Sequence, residues 1–229
     1  SSHIRLGGSD VVNDALEVDP GDRSDPSHPL RPHGFENHVL TVIPPSVLDQ
    51  VKSHPLLCPF YLTDVGYFPH AQNHYRKRAE GSEQHILIYC VRGTGFVEAC
   101  GKRHQIVKNT VLLIPQGVAH AYGSLQEDDP WHIYWAHYQG SRAHLYNPGP
   151  IDDVFVAPVP NIKYAQISRL FHSIFNLLDR GMTLANLIHS AHMLAYALSE
   201  MFFGSRPVDA SKQRRAIDYV EDSITHMQE

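Results

Sequence analysis

The feature that most constrains this chain is a change of hydrophobic period near residue 160. Before it, apolar residues come in short runs, each stopped by turn chemistry; after it, they recur at steps of three and four. Val39-Leu40-Thr41-Val42-Ile43 stops at Pro44-Pro45, Tyr61 to Phe68 at Pro69, and Ile86 to Val91 runs into Gly93-Thr94-Gly95. Phe96 to Cys100 is followed by Gly101-Lys102, Val111 to Ile114 by Pro115-Gln116-Gly117, and Trp131 to Tyr138 closes the series. Strand-length runs of roughly 5 to 8 residues with no helices between them cannot make parallel crossovers, so they predict a β-sandwich or small barrel.

Beyond Pro158 and Pro160, Ile167, Leu170, Phe171, Ile174, Leu177 and Leu178 form one helical stripe that Gly181 ends. Leu184, Leu187, Ile188, Ala191, Leu194, Ala195, Leu198 and Met201 form a second, ending near Gly204 and Pro207. The expectation is a mainly β chain with C-terminal α structure, the two helices forming an antiparallel hairpin. The seam Leu184, Leu187, Ile188, Ala191, Leu194 and Leu198 is near-heptad and carries more apolar surface than one partner helix uses, which predicts a homodimer interface; intramolecular packing is the alternative. A third helix starts at Arg214 and continues through Val220, and because the chain stops at Glu229 it reads as an element cut from a following domain. Residues 1–36 carry Asp19-Pro20-Gly21-Asp22 and three X-Pro steps, the pattern of an arm, partly disordered, whose first residues need not be native. The expected division is thus an arm to 36, a barrel over 37–160, a helical hairpin over 161–205, and a linker with the start of a further helix over 206–229.

Composition enters as a filter. No apolar run reaches the roughly 18 to 20 residues of a membrane span, and no signal-peptide order opens the chain, so no membrane partner is expected. Three Cys without a CxxC fit reduced thiols and a cytoplasmic setting. A net charge of -5 disfavours direct nucleic-acid binding by these residues. The 17 His raise the question of metal chemistry.

That question is answered by spacing. In Asn109-Thr110-Val111-Leu112-Leu113-Ile114-Pro115-Gln116-Gly117-Val118-Ala119-His120, a strand enters a Pro-x-Gly turn and a His follows on the next strand, resembling the second half of the cupin barrel signature. Metal cupins add a His-x-His and a Glu from an earlier strand, because a divalent ion needs three or four convergent ligands. Here His74 and His85 stand eleven apart with no His-x-His, and Glu83 and Glu98 lie off the family spacing. The expectation is a cupin-like barrel without metal or other cofactor, and a non-enzyme. The alternative is a metal-dependent cupin enzyme, an isomerase or dioxygenase, using His74, His85, His104 or His120.

Together with His85 to Gly95, Ile114 to Gly123 and Trp131 to Trp135, this order of motifs resembles the cupin-like N-terminal domain of the AraC/XylS family of bacterial transcription regulators. The resemblance implies a ligand-sensing and dimerisation domain whose small effector, a sugar or related metabolite in the family's image, sits inside the barrel under an N-terminal arm. It implies DNA contact only through a helix-turn-helix domain beyond the residues given. Carried over by position, the effector-binding Arg matches Arg78, with Arg76 a near competitor, the Tyr matches Tyr122 and the stacking Trp matches Trp135. A sugar-contacting His of the family is replaced by Ile133, a departure that counts against arabinose itself. Pro29 and Phe35 are the arm's candidates for closing the mouth.

The residues support this independently of the family. A sugar offers hydroxyls in its ring plane and an apolar C–H face, so its site joins a forked donor such as Arg to an aromatic platform. Strand alternation puts Trp131, Ile133 and Trp135 on one face, expected to be the lumen. Taken singly, Trp135 and Tyr122 read as readily as core residues, and His120 reads either as a pocket hydrogen-bonding group or as barrel wall.

Overall fold

The computed structural model describes residues 37–126 and 128–203. The expected arm, with Pro29 and Phe35, and the expected third helix from Arg214 lie outside the described residues.

Among the described residues, ten strands form two antiparallel sheets. The larger holds β1 (Val39–Val42), β2 (Tyr61–Phe68), β4 (His85–Arg92), β7 (Thr110–Ile114), β9 (His132–Gln139) and β10 (Phe155–Pro158), in the order β1-β2-β9-β4-β7-β10. The smaller holds β3 (Tyr75–Arg78), β5 (Gly95–Ala99), β6 (Lys102–Ile106) and β8 (His120–Ser124), in the order β3-β8-β5-β6. Helix α1 (Pro45–Ser53) follows β1, and α2 (Tyr164–Asp179) and α3 (Leu184–Phe202) close the described chain as the expected helical hairpin. The chain is therefore mainly β with C-terminal α.

Alternation along β4 explains the layering. Ile86, Ile88 and Cys90 join Val97, Ile106, Tyr122, Ile133 and Trp135 in a core between the two sheets. Leu87, Tyr89 and Val91 join Tyr134, Tyr138, Phe171, Ile174 and Leu194 in a second core between the large sheet and the helices. Buried on both faces, β4 has to be largely apolar, and His-Ile-Leu-Ile-Tyr-Cys-Val-Arg is so between its two terminal residues.

The hairpin is fixed to the sheet by polar contacts at its edge as well as by the core. On β9, Tyr134 Oη lies 2.8 Å from Ser168 Oγ and 3.1 Å from His172 Nε2, both on α2. Thr183 caps α3 by accepting from the Asn186 backbone N–H, while the Asn186 amide donates to the carbonyls of Leu177 and Gly181 and ties the interhelical turn. Lys163, before α2, pairs with Glu200 on α3.

Leu187, Ala191, Leu194 and Leu198 are buried in this chain's own core, with Leu194 and Leu198 fully inaccessible. The seam expected to meet a second copy is largely taken up by α2 and the sheet beneath it, the intramolecular alternative for those four residues. Ile188 packs half-buried at the edge, and Leu184 stays 48% exposed.

Several elements have no counterpart in the apolar runs. β3 reads Tyr-Arg-Lys-Arg and β6 reads Lys-Arg-His-Gln-Ile, and both are edge strands of the small sheet. Basic side chains at an edge discourage pairing with another chain, and they also hide the strand from a search for hydrophobic alternation. Helix α1 buries only Val51, so it leaves almost no stripe to detect.

Candidate functional site

The side chains facing the space between the sheets are set by register. On β9, Trp135 lies opposite Gly66 of β2 and Ile88 of β4. A Cβ on Gly66 would stand 2.6 Å from the Trp135 ring, so only glycine leaves room for the indole to lie against β2. Gly95 does the same for Trp131, whose ring would lie 2.1 Å from an added Cβ. Phe68 packs against Trp135 with ring centroids 5.2 Å apart, and Tyr122 stands 6.2 Å from Trp131. Ile133 is buried in the same cluster as an apolar wall.

The small sheet supplies the polar side. Its register sets Arg78 opposite His120 and Arg76 opposite Tyr122. Directly opposed residues of an antiparallel pair share a face, so both arginines are on the side that carries His120 and Tyr122. The two competitors for one role thus share a face, both half-buried. His120 and Tyr122 stack with centroids 5.7 Å apart and planes 10° from parallel.

The charge state of this pole follows from its contacts. His120 is 4% exposed, and its Nδ1 lies 2.7 Å from the Val118 carbonyl, which can only accept. The Nδ1 proton is therefore committed there. Burial, with Arg78 and His137 nearby, brings the His120 pKa down to about 4 against the opposing pull of the Val118 bond. The ring is neutral at pH 7 and its Nε2 is a lone pair, buried and with no hydrogen-bond partner among the described residues. The Nε1–H groups of Trp131 and Trp135 are likewise buried without a partner among them.

Two residues to which sequence reasoning assigned no role complete the pole. Asp64 on β2 lies opposite His137 on β9, and its Oδ2 sits 2.6 Å from His137 Nδ1. Thr63 Oγ1 donates to Asp64 Oδ1 at 2.5 Å. Burial alone would raise the Asp64 pKa, but the His137 ion pair, these hydrogen bonds and the charge of Arg78 outweigh it and hold the carboxyl below its ordinary value. His137 falls on the same alternation as Trp131 and Trp135; Asp64 depends on a break in the β2 register that its sequence does not announce.

No group of three or more His, Cys, Asp or Glu side chains among the described residues is arranged to hold a metal ion. His74 packs edge-on to Tyr122, His85 stacks on Tyr138 in the helix-side core, and His104 is on β6. No described helix is long and apolar enough to cross a membrane. A wide-open depression of about 330 Å³ lined by Lys52, Cys58, Tyr61, Gln116, Gln139, Gly140 and Ser141 lies elsewhere, on the flank where Tyr61 joins the helix-side core.

The MmsAB operon regulatory protein of Pseudomonas aeruginosa is 31% identical over 105 residues, 44% of this chain and 34% of that protein. The chain thus matches about a third of the length of this relative. Among solved structures, the protein YhaK from Escherichia coli aligns at 14% identity and a TM-score of 0.37, covering 55% of this chain and 52% of that one. A cupin-like protein from Thermotoga maritima aligns at 17% identity and a TM-score of 0.31, covering 56% and 81%. The family model for the AraC-like ligand binding domain matches residues 64–197. That span runs from Asp64 on β2 to Ala197 in α3, more than half of the 229 residues, and the chain belongs to the AraC-like ligand-binding domain family.

Proposed function

We propose that this chain senses a small hydroxylated effector, a sugar or related metabolite, bound between the two sheets against Arg78, His120, Tyr122 and Trp135. Arg76 lies beside Tyr122, and Ile133 supplies an apolar wall. The observation that carries this reading is the union, on one inward-facing surface, of a forked donor on β3, a neutral imidazole acceptor on β8 and an indole platform on β9. These are the groups that satisfy hydroxyls and a C–H face together. The protein is a binding module and not an enzyme, and it works inside the cell.

Occupancy is relayed through the helices. The helices respond through β9, whose inward residue Trp135 is adjacent to Tyr134, the residue tied to Ser168 and His172 of α2. A ligand that shifts Trp135 acts on the strand that anchors the hairpin, and its differential affinity for two hairpin positions is the free energy available to a DNA-binding region of the complete regulator. Homodimerisation through α3 uses Leu184 and Ile188, the members of the seam left at the surface.

Calorimetry against pentoses, hexoses and short oligosaccharides tests the reading. Binding that Trp135→Ala and Arg78→Ala each weaken by tenfold or more is expected. An absence of binding by every compound, in a protein that still melts cooperatively, removes the sugar from the proposal.

A further inference from the structure

Asp64 and His137 are positioned by a specific device. The β2–β9 register runs Leu62 to Tyr138 and then Asp64 to His137, so Thr63 is an extra residue on β2. Such a bulge re-aims the side chain that follows it. Here it directs a carboxylate at the lumen, where His137 Nδ1 and Thr63 Oγ1 hold it in the ionised state. On the facing sheet, His120 has its own Nδ1 tied to Val118. Each imidazole therefore keeps Nε2 as its remaining hydrogen-bonding atom. The two rings border one core: His137 packs on Trp135 with ring centroids 5.2 Å apart, His120 stacks on Tyr122, and Trp135 and Tyr122 belong to the same cluster between the sheets.

We propose that Asp64, His137 and His120 form a hydroxyl-reading pole, at which two hydroxyl groups of a neutral effector each meet one imidazole Nε2. This deepens the reading of the lumen as the effector site and rests on it. The lone pair on His120 needs a donor, which a carboxylate lacks, and an anion there would also face ionised Asp64. An ammonium group would face Arg78. A hydroxyl both donates and accepts, so it satisfies His120 Nε2 and also satisfies His137 Nε2 in either protonation state, without adding charge between Arg78 and Asp64. Asp64 acts as a positioning residue, fixing the ring of His137 through Nδ1. The pole distinguishes a sugar from its deoxy analogue and from its aldonic acid, because the deoxy analogue leaves an imidazole nitrogen without its hydroxyl, a buried one in the case of His120, and the acid adds a negative charge.

The test is calorimetry of the intact chain with ribose, xylose and glucose, their deoxy analogues, xylonate and gluconate, and zinc chloride as a separate arm. A sugar that binds is expected to bind at least tenfold more tightly than its deoxy analogue and its acid. His120→Phe and His137→Phe are expected to cost tenfold or more toward that sugar and under threefold toward the analogue lacking the matching hydroxyl, while His120→Gln, which keeps an acceptor, retains most of the affinity. Asp64→Asn, nearly isosteric, provides the same readout should His137→Phe fail to fold. Tighter binding of an aldonate than of its parent sugar, equal losses toward sugar and deoxy analogue, or stoichiometric zinc held by the two histidines would overturn the proposal while leaving the lumen as the effector site. Failure of every compound to bind removes the site reading and the pole with it.

Discussion

Gly66 and Trp135 are directly opposed across β2 and β9, and the indole occupies the space that any side chain at residue 66 would need. An added Cβ would meet the ring at 2.6 Å and the Val39 carbonyl at 2.5 Å. The platform proposed for the effector thus exists because its neighbour has no side chain.

Gly66→Ala is expected to destabilise the protein by about 1 to 3 kcal/mol, the usual cost of overpacking a buried site. Trp135→Phe in the same chain should recover part of that loss by removing the wider ring. A double-mutant cycle from urea denaturation measures this, and additive effects would show that the two residues do not compete for space.

Tyr134 anchors β9 to α2. Tyr134→Phe is expected to cost about 1 kcal/mol, since it leaves Ser168 and His172 without the shared hydroxyl. Ser168→Ala should cost a similar amount, and the pair together less than the sum. Amide hydrogen exchange should show faster opening of α2 in each variant, with the inter-sheet core unchanged.

The two faces of α3 should separate cleanly by mutation. Leu194→Ala, fully buried, is expected to cost about 2 to 5 kcal/mol. Leu184→Ala, 48% exposed, should leave the melting temperature almost unmoved and, if α3 mediates the homodimer, shift the sedimentation coefficient toward the monomer. The reverse pattern would place the seam at a subunit interface.

Stability should fall on acidification below neutrality. Burial is the leading cause that lowers His85 and His120 to about 4 each. Between that value and the ordinary histidine range the unfolded chain binds protons that the folded chain does not, so stability is fully present above about pH 6.5 and is lost as pH falls toward 4. The combined loss is on the order of a few kcal/mol. Asp64, whose folded pKa is also depressed, adds a loss of the same sign at lower pH, as it protonates. Melting temperatures from pH 8 to pH 4 give the slope, and His120→Gln should flatten it.

Much of the fold was legible because one periodicity change separates strands from helices and because the buried strands announce themselves. β2 ends at Phe68 as the run before Pro69 requires, and β4, β7 and β9 correspond to apolar runs within a residue or two at either end. β3 and β6 were not legible, since edge strands bury little and these carry basic residues. In the candidate site, alternation along β9 identified the face of Trp131, Ile133 and Trp135, which do share one core. Arg76 and Arg78 resisted separation in sequence, and register sets both on the same face.

The sequence by itself determined the mainly β architecture, the helical hairpin and the inward face of β9, because these depend on local periodicity and turn chemistry. Only the tertiary structure decided that the α3 seam packs on α2 and the sheet, that Asp64 meets His137 and that Arg78 lies opposite His120. Those outcomes depend on pairing between segments far apart in the chain. A single bulged residue, Thr63, is enough to change which side chain a strand turns inward.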